Sequence, residues 1–210
     1  MAVDLPAFPG LVAAGQKAGQ AVEAAADAME VDARDLATVI QFETNGTWDP
    51  KIENPDTHAT GLIQWLPSTA VKLGMARTEL EAPATIKAMS AADQVAWVPE
   101  YYQAALFGRN PRTWPSAQDS GQIDIGDLYL LIFAPSFAGS SSGRIAAKGS
   151  RAAAQNPALQ GPDGAITVES VRDALETADA AARSGPQIAT DTWQAPPPYR
   201  PPGGRPTDPI

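Results

Sequence analysis

Apolar positions along this chain recur mostly at helical spacing. From Asp32 onward, Leu36, Val39 and Ile40 fall on one stripe, with Asp32 as N-cap and the acidic Asp35 three positions later. Glu43 lies on the same stripe, four residues after Val39 and seven after Leu36, so the spacing turns its carboxyl toward the apolar side. Asn45-Gly46 predicts the end of that helix. Upstream, residues 11 to 29 are alanine-rich and only weakly amphipathic; they are expected to form a helix packed loosely on the body.

The stretch WDPKIENPDTHAT reads as irregular chain, with turn signals at Asp49-Pro50 and Asn54-Pro55-Asp56. ATGLIQWL is expected to be a short extended piece, followed by a helix opened by Pro67 and closed by Gly74. Ser90 with Asp93 caps a helix whose stripe is Val95, Val98, Tyr102, Ala105 and Leu106, bent at Pro99. Asp124 with Asp127 opens DIGDLYLLIFA, which stops at Pro135. Thr167 opens a last helix with Val168, Val171 and Leu175 inward, ended by Gly185-Pro186. Together these elements predict a mainly α chain (α+β with at most a small β-hairpin). Three regions follow: an N-terminal helical segment (1–29), a central domain (30–184) and a Pro/Gly-rich tail (185–210), extended or disordered, whose Trp193 and Tyr199 could anchor a partner.

Composition narrows the partners. With 15 Lys+Arg against 24 Asp+Glu the net charge is −9, which argues against nucleic acid or an anionic membrane held by simple attraction. The absence of cysteine excludes disulfides, thiol catalysis and thiolate metal sites. The opening residues carry neither a basic start nor a long apolar run, so neither a signal peptide nor a membrane span is expected.

Glu43 is the candidate for chemistry, because burial of its carboxyl would raise its pKa toward the range a general acid needs. Asp49, Glu53 and Asp56 follow closely, but spacing does not place any of them as a second catalytic carboxylate. Trp48 and Trp65 are read as packing residues, with sugar stacking the lesser alternative. His58, the sole histidine, is read as an exposed loop residue. GSSSG at 139–143 is read as a flexible loop. NPALQGPDGAITVES keeps only Asp163 of a calcium loop's ligands, so it is read as a turn and no metal or other cofactor is expected.

A glutamate at a helix end, then Trp48 and Asn54, then ATGLIQWLPSTAVKLG, resembles the motif series of soluble lytic transglycosylases and goose-type lysozymes, in particular the bacteriophage branch of that superfamily. ADQVAWVPEYY, DLYLLIFAPSFAG and the segment from Lys148 to Val171 look similar to later family features, so the resemblance covers roughly residues 30 to 180. It departs from the family at Thr44, where serine is common, at Ile63, where methionine is usual, and in lacking an A-Y-N motif. The resemblance implies a lysozyme-like fold that cleaves peptidoglycan glycan strands between N-acetylmuramic acid and N-acetylglucosamine. Glu43 would be the acid and then the base, with Gly61, Leu62, Ile63 and Gln64 binding substrate and Tyr102 or Tyr129 assisting. Gly61 would let sugar approach the backbone closely.

The resemblance further implies a 1,6-anhydromuramoyl product, formed by attack of the muramoyl C6 hydroxyl without a second carboxylate. It suggests a virion-associated phage enzyme that opens the host wall during entry, acting in the host periplasm; the composition of the Pro-rich tail, with Trp193 and Tyr199, leads us to expect docking on tail or virion proteins through it. A lysozyme-type hydrolase released as an endolysin, and a structural virion protein keeping an inactive scaffold, are the alternatives.

Overall fold

The computed structural model describes residues 4–55, 57–107, 123–185 and 187–189. In chain order these form β1 (Asp4–Pro6), α1 (Pro9–Ala14), α2 (Gln16–Met29), α3 (Ala33–Glu43), α4 (Pro67–Lys72), α5 (Ala82–Lys87), α6 (Ala91–Val95), α7 (Val98–Phe107), α8 (Ile125–Phe133), β2 (Arg144–Ala146), α9 (Arg151–Gln155), β3 (Ile166–Thr167), α10 (Val168–Ser184) and β4 (Gln187–Ala189). The chain is mainly α. Its strands make two small antiparallel pairs, β1 with β4 and β2 with β3.

α3 is the axis on which the site is built. Asp32 caps it by accepting from the Arg34 backbone N–H at 2.8 Å, and Leu36, Val39 and Ile40 are fully buried. α2, α8 and α10 pack around it. Burial of each such aliphatic side chain contributes roughly 1.5–3 kcal/mol.

The N-terminal segment differs from expectation. Gly15, in the left-handed region at φ 88°, divides it into α1 and α2, and neither packs loosely. Leu5, Leu11, Ala18 and Val22 are completely buried in the same core as α3. The physical reason is small size: alanines at 18, 25 and 26 let α2 lie close against α3 and α6, so a face with few large side chains still excludes water. At Gly10 a side chain would begin 2.4 Å from the Gly46 carbonyl oxygen and 2.7 Å from Trp48 Cδ1, so α1 presses directly on the loop that leaves α3.

The helix expected to bend at Pro99 is instead interrupted at Ala96-Trp97, leaving Pro99 in the first turn of α7. A proline lacks the N–H and crowds the carbonyl four residues earlier, both tolerated in a first turn. Ala105 and Leu106 of the expected stripe have side chains outside the described residues. α8 and α10 match their predicted caps: Asp124 accepts from the Asp127 N–H at 2.8 Å, and Thr167 from the Ser170 N–H at 3.1 Å. The tail begins as β4, with Leu5 opposite Ile188. Trp193 and Tyr199 lie outside the described residues.

Two ion-pair groups tie α10 to its neighbours. Arg172 reaches Asp124 at 2.6 Å and Asp127 at 2.5 Å on α8; Arg183 reaches Asp35 at 3.2 Å on α3 and Asp179 at 2.6 Å on its own helix.

Candidate functional site

The site begins where α3 stops. The Thr44 hydroxyl donates to the Ile40 carbonyl at 2.8 Å and accepts from the Trp48 backbone N–H at 3.2 Å, so one buried side chain both closes the helix and folds back the following loop. Trp48 is buried, and its indole N–H donates to Gln41 Oε1 at 2.8 Å. It is therefore a packing residue, as is the fully buried Trp65.

Backbone strain gathers here. Of five described non-glycine residues with positive φ, Asn45, Trp48, His58 and Gln64 all lie between Glu43 and Gln64. Such conformations cost on the order of 1 kcal/mol each and persist where the surroundings fix them, often at functional sites.

Glu43 remains partly open to solvent as a residue, yet its carboxyl is enclosed closely enough that burial pushes its pKa up to about 7. The opposing influence is a hydrogen bond from the Tyr129 hydroxyl, which favours the carboxylate. Among the described residues no second carboxylate influences its protonation. Tyr129 is buried on α8, held edge-to-face against Phe42 at 5.2 Å and stacked on Phe133 at 5.8 Å. Its own pKa is raised, first by burial and then by the nearby Glu43.

Of the two tyrosines considered as partners of the acid, Tyr129 is the one that bonds it. The Tyr102 hydroxyl donates to the Leu128 carbonyl at 3.0 Å, and Tyr102 is almost wholly buried, so it braces α7 against α8 and offers no surface to a substrate. Tyr101, three positions after Val98 and adjacent to Tyr102, also packs against the core. It is half-buried, sits edge-on to Tyr102 at 5.8 Å, and has its pKa pushed up to about 12 by burial and by the Glu43 charge. Its signal in the sequence is the pair of tyrosines that closes ADQVAWVPEYY.

ATGLIQWL is a tight turn, not an extended piece. Thr60 and Trp65 exchange backbone bonds at 3.0 and 2.9 Å, enclosing Gly61 to Gln64, with Gly61 at φ 83° and Gln64 at φ 53°. Leu62 and Ile63 are fully buried and belong to the core, so their side chains cannot bind substrate as expected. Gly61 does not open the backbone to sugar as expected: a Cβ there would lie 2.4 Å from Gln94 Oε1 and 3.0 Å from Ile86 Cγ2, so its bare face meets protein. Gln64 is half-buried, and its Nε2 donates to the Gly61 carbonyl at 3.0 Å. Its side-chain oxygen has no partner among the described residues.

The other carboxylates take separate roles. Glu53 accepts from Lys87 and, at 2.7 Å, from His58 Nδ1; Lys87 first and His58 second hold its pKa below the usual range. His58 is thus exposed but paired. Asp49 is exposed and caps the Lys51 N–H at 2.9 Å, while Asp56 lies outside the described residues. Asp163 accepts from the Ala165 N–H at 2.9 Å within its turn, and the Gly139 N–H of the serine-rich loop donates to Asp127 at 3.1 Å. Among the described residues no three acidic or histidine side chains converge on a metal position, and no helix is long and apolar enough to cross a membrane.

No family model matches this chain, and neither a curated protein nor a solved structure does.

Proposed function

We propose that the protein cleaves glycosidic bonds of peptidoglycan as a lytic transglycosylase, with Glu43 as the single acid and base. One observation carries this reading: the Glu43 carboxyl is brought to a pKa of about 7 by burial and bonded to Tyr129, with no second carboxylate among the described residues acting on it. A group with that pKa is populated in both protonation states near neutrality, as a residue that first gives and then takes a proton requires.

In the forward step the Glu43 proton passes to the bridging oxygen as the bond from that oxygen to the muramoyl anomeric carbon breaks. The Tyr129 bond favours the carboxylate left behind. The muramoyl C6 hydroxyl oxygen then bonds to the anomeric carbon, and its proton returns to Glu43. No water is consumed, and the enzyme ends as it began. Gln64, whose side-chain oxygen is unpartnered among the described residues, would accept a hydrogen bond from the sugar; Tyr101 would lie alongside. The sequence resemblance supplies the substrate class and the setting, a phage particle; the composition of the Pro-rich tail supports docking to that particle.

The test is to incubate the purified chain and a Glu43→Gln variant with peptidoglycan and weigh the released fragments. Anhydromuramoyl ends from the unaltered chain and at least about a thousandfold less from the variant are expected, since the proton transfer has no substitute. Reducing ends would mark a hydrolase. No release from either protein would leave the structural virion reading.

A further inference from the structure

Gln94 lies within ADQVAWVPEYY, a stretch to which the sequence resemblance gives no role in the site, yet its side chain is extensively engaged beside it. It is fully buried on α6. Its Oε1 accepts from the Leu62 backbone N–H at 2.9 Å, and its Nε2 donates to the Pro50 carbonyl at 2.7 Å and to the Ile86 carbonyl at 2.9 Å. Both amide protons and the carbonyl are thus used, on three separate stretches of backbone: the loop after α3, the Gly61–Gln64 turn and the end of α5.

The fit around this amide is tight. Gly61 faces Gln94 Oε1 at a distance that no Cβ could share, and the Gly61 N–H donates to the Ile52 carbonyl at 2.8 Å. The turn therefore cannot rise or slide without breaking a bond to Gln94 or to the 50–52 segment. Gln64, at the end of that turn, is held in a left-handed conformation that an unanchored chain would leave.

We infer that Gln94 is a positioning residue for substrate binding: by locking the Leu62 N–H and the Pro50 carbonyl to α6, it fixes the Gly61–Gln64 turn so that the Gln64 amide meets the glycan. This rests on the glycan-cleaving reading above. Gln94 touches no substrate itself. Its contribution is orientation, where a displacement of about 1 Å is enough to weaken a directional contact.

The experiment is a double-mutant cycle on the full chain, with soluble glycan fragments and rates read for folded protein. Gln94→Met keeps the volume and removes all three bonds; it is expected to raise KM about tenfold. In a Gln64→Ala background the same change is expected to raise KM less than about twofold, because the group it positions has gone. A merely structural role would give the same factor in both backgrounds and would overturn the inference. If Gln94→Met does not fold, Gln94→Glu, which retains the acceptor for Leu62 but cannot donate to both carbonyls, enters the same cycle under the same criterion. Cleavage by the unaltered chain with equal factors overturns this inference alone; no cleavage by the unaltered chain overturns it together with the proposed function.

Discussion

Glu43 is displaced from an ordinary carboxylate by its surroundings, and that displacement has a sign that can be measured. With a pKa near 7 folded and 4.5 as its ordinary value, the native state holds a proton that the unfolded chain has released across this window. Stability therefore falls as pH rises from 4.5 to 7, by on the order of 2–3 kcal/mol from this group. Asp35, pushed to about 6 by burial and then by Asp32 and Asp179, adds a loss of the same sign over a lower window. Glu43→Gln removes only the first contribution. Urea unfolding at pH 5 and pH 8 is expected to show the variant gaining about 2 kcal/mol on the unaltered chain between the two. An equal difference at both values would mean that the carboxyl is not buried. Tyr129→Phe acts the other way on the same group: it removes a bond that lowers the Glu43 pKa, so the alkaline limb of the activity profile is expected to move to higher pH.

At the scale of elements, the junction between α3 and its following loop depends on one hydroxyl. Thr44→Val loses the bonds to the Ile40 carbonyl and from the Trp48 N–H, both buried, and is expected to cost about 2 kcal/mol in chemical denaturation. Thr44→Ser keeps both bonds and is expected to cost less than about 1 kcal/mol. This explains how the chain tolerates threonine where the resembling family commonly has serine: the hydroxyl is what the junction uses. The cap residues of α3, α8 and α10 were legible because capping is local, a side chain bonding a backbone group two or three residues away. The Gly61–Gln64 segment is a turn where the sequence predicts an extended piece, for the opposite reason. Two left-handed residues are needed to make it, and only one of them is glycine; the other is Gln64, held there by its neighbours.

Across the whole molecule, residues 4–29 and the last described strand close on the body that carries the site. Leu5 is completely buried, opposite Ile188, and Leu5→Ala is expected to cost 2–4 kcal/mol with a single unfolding transition. A loosely attached segment would give less than about 0.5 kcal/mol, as surface substitutions do. Gly10 extends the same point to the site, since α1 rests on the Gly46–Trp48 loop immediately after Glu43.

The sequence by itself determined the mainly α class, the helix starts and stops at Asp32, Asp124, Thr167 and Gly185, and the direction of Glu43 toward apolar surroundings. Each is an effect of periodicity or of a bond within a few residues. Only the tertiary structure decided which tyrosine bonds the acid, that Leu62 and Ile63 are core, that Gly61 makes room for Gln94, and that the N-terminal helices are integral. Tyr129 stands far along the chain from Glu43, and Gln94 far from Leu62. Contacts across such separations depend on how α3, α6 and α8 pack together, which no local pattern of residues encodes.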